Sequence, residues 1–332
     1  MRTRNGEPIP VMSVSLLAAL FSANGPLEYA GKGVFVHGDD NKLTFYEANS
    51  GKRIRRYHAE SGISGWSTDG EGGVFVETGG VLYFMGPSGG MQKVREVVYP
   101  RLAIPAGCLI SSEGDVVSDF EWADGRTPSA LVWQKGKSVH TFSGRTSGAL
   151  TGRHDFELLS FGSLRDTIWV SFPVTPTEYE EEEIVLLRLT ENGQLVQQKY
   201  LGRVSAAFWV GMAFPWEDGI VLVDSGFGRI WILGSGSPRM VQLGNRRIRA
   251  ATLARSAHVL LVVTDDERRA LELRALDLKR RTWRVLRRLG TEGETVSLEN
   301  IGLAVFESGR TAAIFRKDRL SVVKVESLWS TK

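Results

Sequence analysis

Histidine is the side chain best suited to act as acid, base or metal ligand near neutral pH. This chain has five: His37, His58, His140, His154 and His258. Two adjoin carboxylates, His37 in HGDD with Asp39 and Asp40, and His154 beside Asp155. None falls at the H-E-x-x-H spacing that sets two imidazoles on one helix face around zinc. The short matches read as turn residues facing water. The one cysteine, Cys108, excludes an intramolecular disulfide and a zinc site built from several thiolates. GPSGG (Gly86–Gly90) fits G-x-S-x-G, but a nucleophile elbow needs a strand-to-helix turn. Between two strand-like runs the same residues make a hairpin turn. GSGSP (Gly234–Pro238) and DSGFG (Asp224–Gly228) are loops too short to cradle phosphate, with no helix after them. The residues therefore assign no catalytic, cofactor-binding or metal-binding position, and no cofactor. A site assembled from loops would draw on His37–Asp40, Asp69–Glu71 and Asp224–Gly228.

Charge is more informative. TPTEYEEEEI (Thr175–Ile184) carries Glu178, Glu180, Glu181, Glu182 and Glu183 around Tyr179. Like charges in such a run repel and stay extended in water. The expectation is an acidic hairpin insertion over 175–184, either a solvated loop or an arm for a basic partner or a divalent cation. Residues 246–290 are the converse: thirteen Arg and Lys against five Asp and Glu, a net +8, where the whole chain carries +3. The rest of the chain is thus acidic. Arg268, Arg269, Lys279, Arg280, Arg281, Arg284 and Arg287 are the residues of this sector expected to meet a partner: an acidic protein, nucleic acid or anionic lipid. Alternation gives Arg284 and Arg287 opposite parity. The plain alternatives are a solvated sheet edge that discourages aggregation, or codon usage.

These residues need a scaffold. The 332-residue chain is 42% hydrophobic and 24% charged, with 37 glycines scattered along it. That composition suits a large core and many tight turns. LTFYEANSGKRIRRY (from Leu43) is a strand, a turn and a strand, and the pattern recurs from Val81, Ala130, Val185, Arg229, Leu273 and Arg319. Phe45, Phe84, Val132, Leu187, Trp231, Leu273 and Val322 mark equivalent positions, spaced by about 46 residues on average. Most units follow a second apolar run, such as GVFVHG at Gly33 or GIVLVD at Gly219; in the third, CLISS or DVVSDF could serve. Short strands at this period predict one all-β domain over 1–332, a β-propeller of seven blades with about four antiparallel strands each. Six or eight blades remain alternatives. The last unit lacks room for an outermost strand, and VMSVSLLAAL (Val11–Leu20) could supply it and close the ring. The same segment also reads as a signal core cleaved after Ala23, with Phe21 out of place for cleavage. No apolar run reaches membrane-span length.

LTFYEANSGKRIRRY and LRALDLKRRTWRVL resemble the quinoprotein-like propeller repeat, with its ALD-x-x-TG turn, and are similar to WD-type repeats. Glu47 and Asp277 hold the acidic turn position, while the Gly-His and Trp-Asp dipeptides of the WD type are absent. The resemblance covers residues 30–327 as pattern. Its quinone-dependent members imply a calcium-held cofactor and a vicinal cysteine pair, which a single cysteine excludes. The functional expectation is a non-catalytic protein-binding scaffold in a larger assembly, cytoplasmic unless Val11–Ala23 directs export. The alternatives are an enzyme or small-ligand or metal site at the tunnel mouth, and polyanion binding through 246–290.

Overall fold

The computed structural model describes residues 26–86, 89–99, 103–122, 130–145, 148–153, 156–175, 178–205, 210–266, 270–291, 301–306, 311–316 and 319–325. Blade one is β1 (Leu27–Gly31), β2 (Val34–Asp39), β3 (Lys42–Glu47) and β4 (Arg53–His58). Blade two is β5 (Gly65–Thr68), β6 (Val74–Thr78), β7 (Val81–Met85) and β8 (Met91–Glu96). Blade three is β9 (Ala103–Ile110), β10 (Val116–Trp122), β11 (Ala130–Lys135) and β12 (Ser138–Ser143). Blade four is β13 (Glu157–Phe161), β14 (Thr167–Thr175), β15 (Glu178–Leu189) and β16 (Leu195–Ser205). Blade five is β17 (Val210–Trp216), β18 (Gly219–Asp224), β19 (Arg229–Leu233) and β20 (Arg239–Gln242). Blade six is β21 (Arg247–Ala254), β22 (Val259–Asp265), β23 (Ala270–Asp277) and β24 (Thr282–Thr291). Blade seven is β25 (Gly302–Phe306), β26 (Thr311–Arg316) and β27 (Arg319–Lys324).

Each blade is an antiparallel meander in chain order. The inner strands β1, β5, β9, β13, β17, β21 and β25 lie side by side in sequence, and β25 returns to β1, so the seven blades form a ring. All seven marker residues of the repeat fall on third strands, β3, β7, β11, β15, β19, β23 and β27. In blade three the second strand takes Val116–Phe120 of DVVSDF, and Cys108–Ile110 of CLISS end the inner strand β9. Among the described residues blade seven has three strands. The expected closing strand, 11–20, lies outside the described residues.

Strand periodicity explains the core. Successive side chains point to opposite faces, and here each face meets a different neighbour. On β22, Leu260 and Val262 pack toward blade five, while Val259, Leu261 and Val263 pack toward blade seven. The apolar run VLLVV is therefore buried on both sides, which is why it does not alternate with polar residues. Among the described residues the buried apolar side chains form seven clusters, one at each junction. The cluster between blades seven and one holds Phe35, Tyr46, Phe306 and Phe315. The resembling acidic turn residues have local work: Asp277 Oδ1 accepts from the backbone N–H of Lys279 at 3.0 Å and of Arg280 at 2.9 Å. Glu47 accepts from the Ser50 hydroxyl.

Candidate binding surface

The basic sector is less exposed as charge than its composition suggests. Lys279, Arg280 and Arg281 form the turn between β23 and β24, and Arg281 takes a left-handed φ of 59°. Arg280 and Lys279 face Asp277 and Glu217 at 3.9 and 3.7 Å. Arg284 stands opposite Ala275 and Arg287 opposite Leu273. A bulge between these pairs absorbs one residue, so the two arginines share a side despite their opposite parity. Arg268 and Arg269 lie outside the described residues. Further in, Glu272 receives Arg246 at 3.3 Å, Arg274 at 2.7 Å and Arg288 at 3.9 Å. Asp265 receives Arg249 at 2.8 Å.

The acidic stretch is a strand, which corrects the loop expectation. Glu178–Leu189 is β15, and residues Glu181 to Leu189 ladder with β16. Its carboxylates do not repel along one exposed edge because alternation divides them. Glu183 accepts from Arg153 at 2.6 Å and Arg203 at 3.3 Å, and Glu181 lies 3.7 Å from Arg203. Glu182 points the other way, and burial raises its pKa. For Glu178, Tyr179 and Glu180 the structure gives the strand only.

Glu157, which the sequence did not single out, opens the inner strand β13 opposite Ser171. Its side chain is exposed to solvent, yet protein crowds its carboxyl group. Desolvation, then the charges of Glu182 and Asp119, push its pKa up to about 8.

The loop residues proposed for a tunnel-mouth site mostly serve geometry. His37 is buried and stacks on Phe315 at 3.8 Å, so it belongs to the core between blades seven and one. Asp69 Oδ1 accepts from the backbone N–H of Glu71 and of Gly73, both at 2.7 Å. β7 and β8, on either side of GPSGG, pair antiparallel, and Arg55 donates to the Gly86 carbonyl at 3.3 Å. Burial, then the Glu77 charge, raise the Cys108 thiol and leave it a poor nucleophile. Among the described residues no three His, Cys, Asp or Glu side chains are grouped to hold a metal ion. His154 and Asp155 lie outside the described residues.

Two surface features join blades five and six. On the face carrying the turns between first and second strands, Trp216 Nε1 donates to His258 Nδ1 at 3.3 Å. Glu217 Oε1 lies 3.5 Å from that nitrogen and 3.7 Å from Lys279 Nζ. Glu217 and His258 both adopt left-handed backbone, φ 51° and 53°, uncommon for such side chains.

On the opposite face lies a cleft of about 390 Å³ lined by Gly226, Phe227, Arg229, Gln242, Gly244, Asn245, Arg246 and Arg247. Phe227, which lines it, is 58% exposed. Asp224, 0% exposed, builds the loop beneath it. One carboxylate oxygen accepts from the N–H of Gly226 at 3.1 Å and of Phe227 at 3.0 Å; the other accepts from Arg229 Nε at 2.8 Å. Gln242 Nε2 donates to the Phe227 carbonyl at 2.8 Å. Gly228 has φ +64°, and a Cβ there would lie 1.9 Å from the Arg246 carbonyl oxygen, so only glycine fits. The Arg229 guanidinium carbon sits 4.8 Å from the Phe227 ring centre. The sequence showed the loop DSGFG but not the cleft, because its second wall comes from the next blade.

No protein-family model matches the chain, and no curated protein matches it. Solved structures do match. A streptogramin B lyase structure is 11% identical, with 92% of this chain and 93% of that chain covered and a TM-score of 0.53. The β-propeller domain of Cps50 (Swd1) from Myceliophteria thermophila is 10% identical, with 91% and 96% covered and a TM-score of 0.55. BBS1N in complex with ARL6DN is 12% identical, with 92% and 93% covered and a TM-score of 0.54. At these identities the likeness shows the propeller fold, which hosts both enzymes and binding proteins. Among the described residues no helix is long and apolar enough to cross a membrane.

Proposed function

We propose that this protein is a non-catalytic protein-binding platform, a subunit or scaffold of a larger assembly. The observation that carries the reading is Phe227. A large apolar side chain is displayed to solvent from a loop fixed by Asp224 and Gln242. An exposed aromatic on a hydrogen-bonded loop beside arginines has the composition of an interface anchor. The similar BBS1N structure, determined with ARL6DN, is consistent with this use of the fold. Polyanion binding through 246–290 is the weaker reading, because Glu272, Asp265 and Asp277 stand against many of the guanidiniums there.

A second reading is a small-ligand or enzymatic site at the channel. It is favoured by Glu157, a solvent-reached carboxyl on an inner strand whose pKa is displaced by neighbouring acids. Perturbed groups of this kind gather at functional sites. The experiment that separates the two is affinity purification of the tagged full chain from its own host at low and high salt, with and without nuclease. Stoichiometric protein partners that survive high salt and nuclease support the platform. Their absence under every condition refutes it and directs attention to metals and small ligands at the channel.

A further inference from the structure

We propose that the cleft between blades five and six docks an acidic segment of a partner protein, seating one of its apolar side chains against Phe227. The inference rests on the platform reading and names its surface and the chemistry of its partner.

Three observations converge. The first is order: the Phe227 loop is held by backbone and side-chain hydrogen bonds to Asp224 and Gln242. A backbone bond from Leu243 N–H to the Gly228 carbonyl, 2.9 Å, ties it to the end of its own blade, and one from Ile248 N–H to the Ser225 carbonyl, 3.1 Å, ties it to the next blade. A loop whose backbone is hydrogen-bonded before binding loses less to ordering than an unbonded one. The second is charge. Of the arginines that line the cleft, Arg229 pairs with Asp224, Arg246 pairs with Asp266 and with Glu272, which also faces Arg274 and Arg288, and Arg247 is exposed with no ion-pair partner among the described residues. These five arginines face three carboxylates, so the charge in and around the cleft is positive in excess, and a guanidinium with five N–H donors keeps some for a further carboxylate. The third is shape: Gly226 and Gly244 line the cleft, and the space beside Gly244 is open, so a partner main chain can come close.

Aspartate or glutamate flanking an apolar residue satisfies all three. A nucleic acid fits less well, since a phosphate backbone needs a track of several free cations, whereas among the arginines that line the cleft only Arg247 lacks an ion-pair partner among the described residues.

The test uses the full chain and a pool of short synthetic peptides with Asp or Glu around a central Phe, Trp or Leu. Controls are the same pool with Lys in place of the acids and a single-stranded oligonucleotide of matched charge. Binding is read by fluorescence anisotropy, and hydrogen exchange maps the footprint. The expected result is binding of the acidic pool alone, with protection at 226–229 and 242–247. Phe227→Ala and Arg247→Glu should each weaken it by about tenfold or more. Both side chains are exposed, so the fold should persist, and circular dichroism checks this. No binding of the acidic pool, equal binding by the variants, or tighter binding of the oligonucleotide would overturn the inference. Host partners recovered equally by Phe227→Ala and the unaltered chain would overturn the cleft and leave the platform standing. Recovery of none by the unaltered chain would overturn both.

Discussion

Blades one and seven meet through aromatic rings. Phe35 and Phe306 stand edge to face, with centroids 5.0 Å apart and planes at 85°. Tyr29 lies 5.2 Å from the first and 5.3 Å from the second. Phe35 is fully buried and Phe306 nearly so. Changing either to leucine keeps an apolar side chain and removes the ring. Each single change is expected to lower the unfolding free energy by about 1–2 kcal/mol, the middle of the range for core truncations. An edge-to-face pair contributes about 0.5–1.5 kcal/mol beyond its buried area. The double variant Phe35→Leu/Phe306→Leu should therefore lose less than the two single losses together, by that amount. Urea unfolding followed by intrinsic fluorescence reads the difference, provided the denaturant slope stays constant. The control is Phe306→Leu with Phe142→Leu, a blade-three core residue, where the losses should add to within about 0.3–0.5 kcal/mol. A Phe35–Phe306 coupling no larger than the control would refute direct packing between the first and last blades.

Other outcomes follow from individual residues. Glu157 has a folded pKa of about 8 against an ordinary value of 4.5, so its effect is complete at low pH and stability falls as pH rises from about 4.5 to about 8. Glu157→Gln should flatten that fall in the urea midpoint; Glu182, also raised, keeps a remnant, and identical pH profiles would exclude the enclosed carboxyl. Glu217→Gly and His258→Gly relieve left-handed backbone and should each change stability by less than about 1 kcal/mol, with gains where the turn outweighs the lost Trp216 and Lys279 contacts. A loss well above that from both would show that the cluster, not the backbone, dominates. Deleting residues 1–22 should lower the melting temperature markedly if residues 11–20 complete blade seven; an unchanged value would sink that proposal.

The ring was legible because third strands repeat as Phe45, Phe84, Val132, Leu187, Trp231, Leu273 and Val322, each bounded by turn residues. Burial on two faces writes apolar runs into second strands, and only blade three, where β9 and β10 both read as candidates, was ambiguous. Local charge was legible but its pairing was not. Glu183 meets Arg153 and Arg203, and Glu272 meets arginines from β23, β24 and the preceding loop, contacts that depend on strand register. Parity failed for Arg284 and Arg287 because a bulge inserts one residue. The Phe227 cleft needed the juxtaposition of two loops 15 or more residues apart in the chain.

The division of each strand between two neighbours has a consequence for cutting and rejoining the chain. No blade owns a core; apolar surface is covered only where two blades meet. A single excised blade would therefore expose both faces and should not fold alone. Conversely, linking the chain after blade seven to the start of blade one and opening it at the exposed Gly244–Asn245 loop would preserve every junction among the described residues. In that sense the ring has no first blade: where the polypeptide starts is a matter of synthesis, and the contacts that hold the circle are indifferent to it.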